Sequence, residues 1–210
     1  MIKKLLIANR GEIAVRIIRA CAEAGITSVA IYADADRHAL HVKKADEAYN
    51  IGPQSITGYL NAHRIVNLAI ASGCDAVHPG YGFLSENPLL PEICKARGVC
   101  YVGPGAAVIR QMGDKIQARN AMIAAGIPVI PGSDGNLEGL DEAVGLAAEI
   151  GYPVMLKATA GGGGRGIRRC NSEAELRKNY DRVRSETSKA FGSSDIFMER
   201  CVDRPRHIEV

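Results

Sequence analysis

Apolar residues follow two different periods along the first half of the chain. Short runs rich in β-branched residues alternate with longer segments in which an apolar residue recurs every three or four positions, as in an amphipathic helix. The predicted strands are residues 4–8, 28–33, 47–52, 75–80 and 99–103, and the predicted helices are 11–24, 59–72 and 85–97, with Gly25 ending the first. Because strands that alternate with helices form mostly parallel sheets covered on both faces, we predict an α/β domain over residues 1–113.

The second half of the chain has a different pattern. Its predicted helices are residues 114–125, 140–150 and 172–190, and its predicted strands are 127–130, 153–158, 166–170 and 195–202. The strands 153–158 and 166–170 flank a run of glycines, so they should form a hairpin with a long tip. A small unit of strands and two helices over residues 131–203 is typical of a mobile lid rather than of a doubly wound sheet.

Polar residues beside the apolar patterns predict where several helices begin. Ser85 is the predicted N-cap of the helix that follows the fourth strand. Two capping boxes are predicted, one from Asp114 to Gln117 and one from Ser172 to Glu175. In each box the first side chain should accept a hydrogen bond from a backbone N–H of the first helical turn.

The composition argues against several classes of partner. Apolar residues make up 47% of the chain and charged residues 23%, which is ordinary for a globular protein. The formal net charge of +3 is too small to indicate nucleic-acid binding, and a chain with no Trp and three Phe offers little for base stacking. No apolar run approaches the roughly 18 residues of a membrane span. We therefore expect neither nucleic acid nor a membrane as a partner.

The six cysteines favour a reducing compartment. No pair has the C-x-x-C spacing and no cluster of histidines accompanies them, so a zinc site is not expected. The apolar run near the N-terminus is too short for a signal peptide. We interpret the cysteines as free thiols of a cytoplasmic protein.

The stretch LKATAGGGGRGIRR, residues 156–169, carries the clearest chemical signal. Consecutive glycines expose unhindered backbone N–H groups that can wrap phosphate oxygens, and Lys157 lies at the strand end before them. Arg165 and Arg168 would add to the positive field. The alternative is a flexible hairpin tip or linker without a ligand.

Two better-known glycine motifs are excluded. No string fits the P-loop, G-x-x-x-x-G-K-[ST]. The first strand is followed by a single glycine, Gly11, instead of the G-x-G-x-x-G fingerprint of dinucleotide-binding folds. We therefore expect a nucleotide to bind away from the first sheet.

Six strings of the sequence resemble the biotin carboxylase family, the ATP-dependent component of acetyl-CoA carboxylase and pyruvate carboxylase. They are IANRGEIAVRIIRA (7–20), HPGYGFLSEN (78–87), MGDK (112–115), PGSDG (131–135), GYPVMLKATAGGGGRGI (151–167) and PRHIEV (205–210). The strings follow one another in the family's order, and the resemblance covers the whole chain. The N-terminal strings are most similar to the separate carboxylase component of pyruvate carboxylases that consist of two different polypeptides.

The resemblance implies a Rossmann-like, pre-ATP-grasp domain over 1–113, the first part of an ATP-grasp domain with its glycine-rich lid over 114–203, and the start of a truncated second part at 204–210. The positions that match the family's ATP-binding residues are Lys115, Lys157, Gly161, Gly162, Gly163, Gly164, Glu199, Arg200, Cys201, Val202 and His207. Residues 199–202 match a hinge strand that pairs with adenine through its backbone. The family usually has Lys where Arg200 stands, a change that a backbone contact tolerates. The alternative for His207 is a strand histidine packed under the hinge.

The loop HPGYGFLSEN matches a loop of the first domain that faces the active site in the family. Within it, Tyr81 and Gly82 match positions that lie against biotin. The residues alone allow a plainer interpretation, in which Tyr81 is a turn aromatic packed on the sheet edge. Glu86 is in the same way either a site residue or a carboxylate in the first turn of a helix.

The chemistry implied by the resemblance is bicarbonate activation. ATP, with Mg²⁺ or Mn²⁺, converts bicarbonate to carboxyphosphate, and the carboxyl group passes to biotin on a carrier protein. The implied partners are a biotin carboxyl carrier protein or domain, a carboxyltransferase component and a second copy in a homodimer. The family's catalytic chain is roughly twice as long, and its metal-binding carboxylates and catalytic base lie beyond residue 210. We therefore expect no catalytic or metal-binding residue within these residues and no turnover by them alone.

Two other functions stay open at this point. One is a non-catalytic nucleotide-binding or subunit-interaction module. The other is a different ATP-grasp ligase, such as a relative of carbamoyl-phosphate synthetase. The combination of HPGYGFLSEN with GGGGRG argues against the second of these.

Overall fold

The computed structural model describes residues 1–53, 56–159, 166–206 and 208. They fall into two compact units, Met1–Gly113 and Asp114–Val210. Each unit has a β-sheet and a hydrophobic core of its own. In the part of the chain so described, no helix is both long enough and apolar enough to cross a membrane.

The first unit is built around a parallel sheet of five strands. Its strands are β1 (Lys4–Ile7), β2 (Thr27–Tyr32), β3 (Glu47–Asn50), β4 (Ala76–His78) and β5 (Cys100–Tyr101). Its helices are α1 (Gly11–Ala24), α2 (Leu40–Lys44), α3 (Ala62–Ala71), α4 (Leu89–Ala96) and α5 (Ala106–Gly113), with a 3₁₀ turn at Asp34–Asp36. The strand order is β3-β2-β1-β4-β5 and every pair is parallel, which confirms the predicted α/β fold class.

Helices cover both faces of this sheet. Successive side chains of the central strand point to opposite faces, and both sets are apolar, so both faces must be buried. Leu5 and Ile7 of β1 pack in one cluster with α1, whereas Leu6 packs in the other cluster with residues of α3 and α4. Gly25 ends α1 in the left-handed conformation, with φ of 67°, as the sequence predicted. The sheet is therefore buried on both sides by its own crossover helices.

Two helices of the first unit begin later than predicted. The helix α3 begins at Ala62, because the Asn61 side chain accepts the backbone N–H of Arg64 at 3.0 Å. The prediction that Ser85 caps the next helix is wrong, since α4 begins at Leu89. Proline disfavours helical geometry in the residue before it, so Pro88 disfavours a helix that starts ahead of residue 88. The short helices α2 and α5 lie in segments for which the pattern predicted no element.

The second unit has an antiparallel sheet of three strands with the order β7-β6-β8. Its elements are α6 (Lys115–Ala124), α7 (Leu140–Ile150), β6 (Val154–Ala158), β7 (Ile167–Cys170), α8 (Glu173–Phe191) and β8 (Ile196–Arg200). The predicted hairpin is confirmed, because β6 and β7 pair antiparallel. Leu156 and Val154 of β6 pack with residues of α7 and α8, so these helices cover one face of the sheet. Met155 and Lys157 alternate with them and lie on the opposite face.

Both predicted N-caps of the second unit are confirmed. The reciprocal hydrogen bond of a capping box, in which the N3 side chain accepts the N–H of the capping residue, does not form in either case. The Asp114 side chain accepts the backbone N–H of Gln117 at 2.9 Å, and the Ser172 hydroxyl accepts that of Glu175 at 3.4 Å. Gln117 then donates to the Asp114 carboxylate at 3.1 Å, and Glu175 accepts the N–H of Asn171 at 2.8 Å.

The predicted strand over 127–130 is wrong. Only one isolated bridge forms nearby, between Gly132 and Glu199, among the residues described. Pro128 and Pro131 lack the N–H group that a ladder needs, which prevents continuous pairing in this segment. The segment instead follows the edge of β8, and the Ser133 N–H donates to the Met198 carbonyl at 2.8 Å.

Candidate functional site

Two lysines meet at the carboxyl end of β6. The Lys157 ammonium forms an ion pair with the Glu199 carboxylate of β8 and lies 5.9 Å from the centre of the Phe197 ring. Lys115 is the first residue of α6, and its ammonium donates to the Ala158 carbonyl at 3.1 Å. The fold thus brings together two residues that are 42 positions apart in the sequence.

The environment of these lysines favours an anionic ligand. Burial lowers the pKa of the Lys115 ammonium, and the charge of Lys157 lowers it further, while Glu199 acts in the opposite direction. Among the described residues, two ammonium groups lie beside the Glu199 carboxylate. A phosphate could accept charge-assisted hydrogen bonds from both lysines.

A cavity of about 390 Å³ adjoins this group. The residues that line it include the basic Lys157, Arg169, Arg200 and Arg204, the acidic Glu199 and Asp203, and the apolar Ile130, Met155 and Val202. Four cationic side chains against two carboxylates give the lining an excess of positive charge. The apolar side chains could accept a flat, uncharged group, so the cavity suits a ligand with one anionic and one apolar part.

Of the backbone amides of residues 200–202, at the end of β8, one is left for such a ligand. The Arg200 N–H donates to the Pro131 carbonyl and the Cys201 N–H donates to the Pro153 carbonyl, both at 2.8 Å. Within the described ranges, no hydrogen bond involves the N–H of Val202, which lines the cavity with 48% of the residue exposed. If a ligand pairs with this segment through a backbone donor, Val202 is the residue that can supply it.

Several predicted site residues lie outside the described residues: Gly161, Gly162, Gly163, Gly164, Arg165 and His207. Gly166, two residues after the glycine run, is described and has φ of 68°. A Cβ atom there would lie 2.8 Å from that of Ala158 and 3.0 Å from the Thr187 hydroxyl. Position 166 therefore requires glycine, both because of its positive φ and because of the close packing at the base of the hairpin.

The two arginines of β7 lie on opposite faces of the sheet. Arg168 pairs in register with the buried Leu156, and its guanidinium contacts both oxygens of Glu186 on α8, at 2.9 and 3.1 Å. Arg168 is thus directed away from Lys157, although we expected it to add to the positive field. Arg169 instead lines the cavity. The period of two along β7, combined with its pairing to β6, was the sequence signal that could have singled out Arg169.

In the first unit, the backbone of a loop that follows β4 is held by the buried side chain of Asn9. Asn9, after β1, is 2% exposed, and its Nδ2 group donates to the carbonyls of Pro79 at 2.7 Å and Tyr81 at 2.8 Å. A Cβ atom on Gly80 would lie 2.9 Å from the same nitrogen. Neighbouring strands whose connections run in opposite directions form the usual ligand crevice of a parallel sheet. Here Asn9 fills the space between β1 and β4, and the loop lies over it.

The loop exposes the residues that were predicted to face biotin. Tyr81 is 59% exposed, and Gly82 has a positive φ of 64°. Phe83 has φ of 46° and stacks on Tyr59 with ring centres 5.4 Å apart, which anchors the loop on its inner side. Tyr81 therefore leaves most of its surface in solvent instead of packing on the sheet edge. Glu86 is exposed and precedes α4, so it is not in a helical turn.

Replacing Asn9 by aspartate should release this loop. The carboxylate has the shape of the amide but cannot donate, so it would face two carbonyl oxygens in a buried site. We expect the free energy of unfolding of the first unit to fall by about 2 kcal/mol or more. We also expect faster hydrogen exchange of the backbone amides of residues 80–84.

Asn67→Asp is a matched control for this change. Asn67 is exposed and uses only its Oδ1 atom, which accepts from Arg97 at 3.2 Å and is preserved in aspartate. For the Asn67→Asp variant, the free energy of unfolding and the hydrogen exchange of the backbone amides of residues 80–84 should stay close to those of the unmodified protein. Equal effects of the two substitutions would contradict the role given to Asn9.

The two halves of the chain match two known domain families. Residues 1–109 match the N-terminal domain of biotin carboxylase. Residues 114–210 match the ATP-binding domain of the carbamoyl-phosphate synthase L chain. Together the two matches account for nearly the whole sequence.

Individual relatives are similar over the full chain. Biotin carboxylase 1 of Bacillus subtilis is 54% identical over 211 residues, covering 100% of this chain and 47% of its own length. The small subunit of the 2-oxoglutarate carboxylase of Hydrogenobacter thermophilus is 54% identical over 209 residues, covering 100% of this chain and 44% of its own length. This chain thus spans less than half the length of these relatives.

A solved structure has the same fold. The biotin carboxylase domain of the 2-oxoglutarate carboxylase of Hydrogenobacter thermophilus was crystallised as a dimer with MgADP, ADP and bicarbonate. It is 53% identical, and it superposes with a TM-score of 0.87 over 97% of this chain and 45% of its own. The match to the biotin carboxylase N-terminal domain covers more than half of this chain. The chain therefore belongs to the biotin carboxylase family.

Proposed function

We propose that this chain forms the N-terminal and nucleotide-binding part of an enzyme that carboxylates biotin on a carrier protein, using ATP and bicarbonate. The observation that carries this proposal is the convergence of Lys115, Lys157 and Glu199 beside the cavity of the second unit. Family membership gives that convergence its chemical meaning, because activation of bicarbonate through carboxyphosphate requires a site for ATP phosphates.

The described residues fit ATP at both ends of the cavity. Lys115 and Lys157 would hold phosphate oxygens, and the glycines 161–164 would add backbone donors. At the other end, the segment Glu199, Arg200, Cys201 and Val202 would hold adenine. Of these four, Val202 is the residue we propose as the backbone donor, because the N–H groups of Arg200 and Cys201 already donate to protein carbonyls. His207 stays a proposed nucleotide residue.

The metal and the chemical step need residues of other parts of the family's chain. No group of three His, Cys, Asp or Glu side chains comes together among the described residues. When bound, Mg²⁺ or Mn²⁺ would neutralise phosphate charge during transfer. We propose that its ligands and the catalytic base belong to the portion of the relatives that this chain does not span.

The remaining assignments follow from the same proposal. We divide the chain into domains at 1–113, 114–203 and 204–210; the two family matches, over 1–109 and 114–210, support the first of these divisions only. The proposed partners are a biotin carboxyl carrier protein or domain, a carboxyltransferase component and a second copy of the chain, as in the dimeric relative. The loop with Tyr81 and Gly82 would contact biotin. All six cysteines are free, which supports a cytoplasmic location.

A test separates binding from turnover. A polypeptide of these 210 residues should bind ATP saturably, in a titration followed by calorimetry. It should give no bicarbonate-dependent release of phosphate, because we assign the catalytic base to the portion of the relatives that this chain does not span. Absence of binding would contradict the proposed nucleotide site. Bicarbonate-dependent turnover that Lys157→Met removes would contradict the assignment of all catalytic groups to other parts of the family's chain.

A further inference from the structure

Arg169 is a cation of the cavity that the sequence motifs did not single out. The β6–β7 register places it opposite Met155, and places Ile167 opposite Lys157. Side chains two residues apart share a face of a strand, so Arg169 lies on the same face as Met155 and Lys157. It lines the cavity together with the hinge residues Cys201 and Val202.

The position of Arg169 along the sheet separates it from the two lysines. Its partner Met155 precedes Lys157 by two residues, which corresponds to about 7 Å along a strand. Met155 also pairs with Glu199, the residue at which β8 approaches the hinge. Arg169 therefore lies towards the hinge end of the cavity, away from the carboxyl end of β6 where the lysines meet.

The guanidinium of Arg169 is held by one side-chain hydrogen bond and lies within electrostatic range of the Glu175 carboxylate. Its Nε group donates to the Asn171 side chain at 3.0 Å. In the described parts of the chain it forms no ion pair, whereas the neighbouring Arg168 pairs with Glu186. The guanidinium is a planar, weakly hydrated cation, and Arg169 lines the end of the cavity where the proposed function places the nucleobase.

We propose that Arg169 is a nucleobase-binding residue that packs its guanidinium plane against the base of the bound nucleotide. This inference rests on the proposed function and identifies how the base, rather than the phosphates, is recognised. A guanidinium stacks on aromatic faces, and a lysine ammonium keeps the charge but has no plane to stack. Arg169→Lys therefore removes the stacking while preserving the net charge.

The test compares two probes that differ in the base. ATP carries both parts of the ligand, and inorganic tripolyphosphate carries only the phosphates. Binding of each is measured by calorimetry for the unmodified chain, Arg169→Lys and Arg169→Ala. Arg169→Lys should weaken ATP binding about fivefold and leave tripolyphosphate binding unchanged. Arg182→Lys is the control, because Arg182 is exposed on α8 and pairs with Glu186.

Each outcome bears on one of the two proposals. If Arg169→Lys and Arg169→Ala bind ATP as tightly as the unmodified chain, the role of Arg169 is overturned while the nucleotide site stands. An equal loss of ATP and tripolyphosphate in Arg169→Lys also overturns it, because the residue would then act on phosphate. If the unmodified chain binds neither probe, the proposed function itself fails and the inference fails with it.

Discussion

Replacing Lys157 by methionine should weaken ATP binding to this chain by at least about tenfold, which corresponds to about 1.4 kcal/mol. Methionine preserves the length of the side chain but removes the ammonium that would bind phosphate. It also leaves the Glu199 carboxylate, whose side chain is 15% exposed, without its ion-pair partner. The loss of a charge-assisted hydrogen bond and the gain of an uncompensated carboxylate act in the same direction.

Two companion variants distinguish these causes. Glu199→Gln removes the negative charge beside Lys157, so the single variant should bind ATP at least as tightly as the unmodified protein. The double variant Lys157→Met, Glu199→Gln should recover part of the affinity that the methionine alone loses. Lys178→Ala removes an exposed lysine of α8 and should have no effect. If Lys157→Met and Lys178→Ala bind ATP equally well, Lys157 is not a phosphate ligand.

Gly132→Ala should be the most destabilising small substitution in the second unit. A Cβ atom at this position would lie 2.4 Å from the Met198 carbonyl oxygen and 3.0 Å from the Glu199 Cα atom. Both contacts are with backbone, so no side-chain rotation relieves them, and the segment must separate from β8. We expect the free energy of unfolding to fall by about 3 kcal/mol, measured by urea denaturation.

Gly135→Ala provides the matched control. It lies three residues further along the same segment, and a Cβ atom there meets nothing within 4 Å. This alanine should be neutral or slightly stabilising, because it reduces the freedom of the unfolded chain. Because Gly132 pairs with Glu199, Gly132→Ala should also weaken ATP binding, whereas Gly135→Ala should not. Equal unfolding midpoints for the two variants would show that the close approach at Gly132 relaxes without cost.

Local patterns in the sequence were enough to predict most of the secondary structure. Apolar periodicity and a following glycine predicted α1, and alternating strands and helices predicted the parallel sheet, because these signals depend on neighbours within a few residues. The errors occur where proline changes the backbone. Pro88 delays the start of α4, and Pro128 and Pro131 prevent the strand predicted at 127–130.

For the site, the sequence by itself determined the residue types and the family. The glycine run, Lys157 and the quoted strings were sufficient for that, because their chemistry or order is visible in the linear chain. Only the tertiary structure decided which side chains meet. The pairing of Lys157 with Glu199, the placement of Arg169 rather than Arg168 at the cavity, and the Asn9 contacts depend on strand register and chain crossings. These join residues up to 72 positions apart, and no local pattern specifies such contacts.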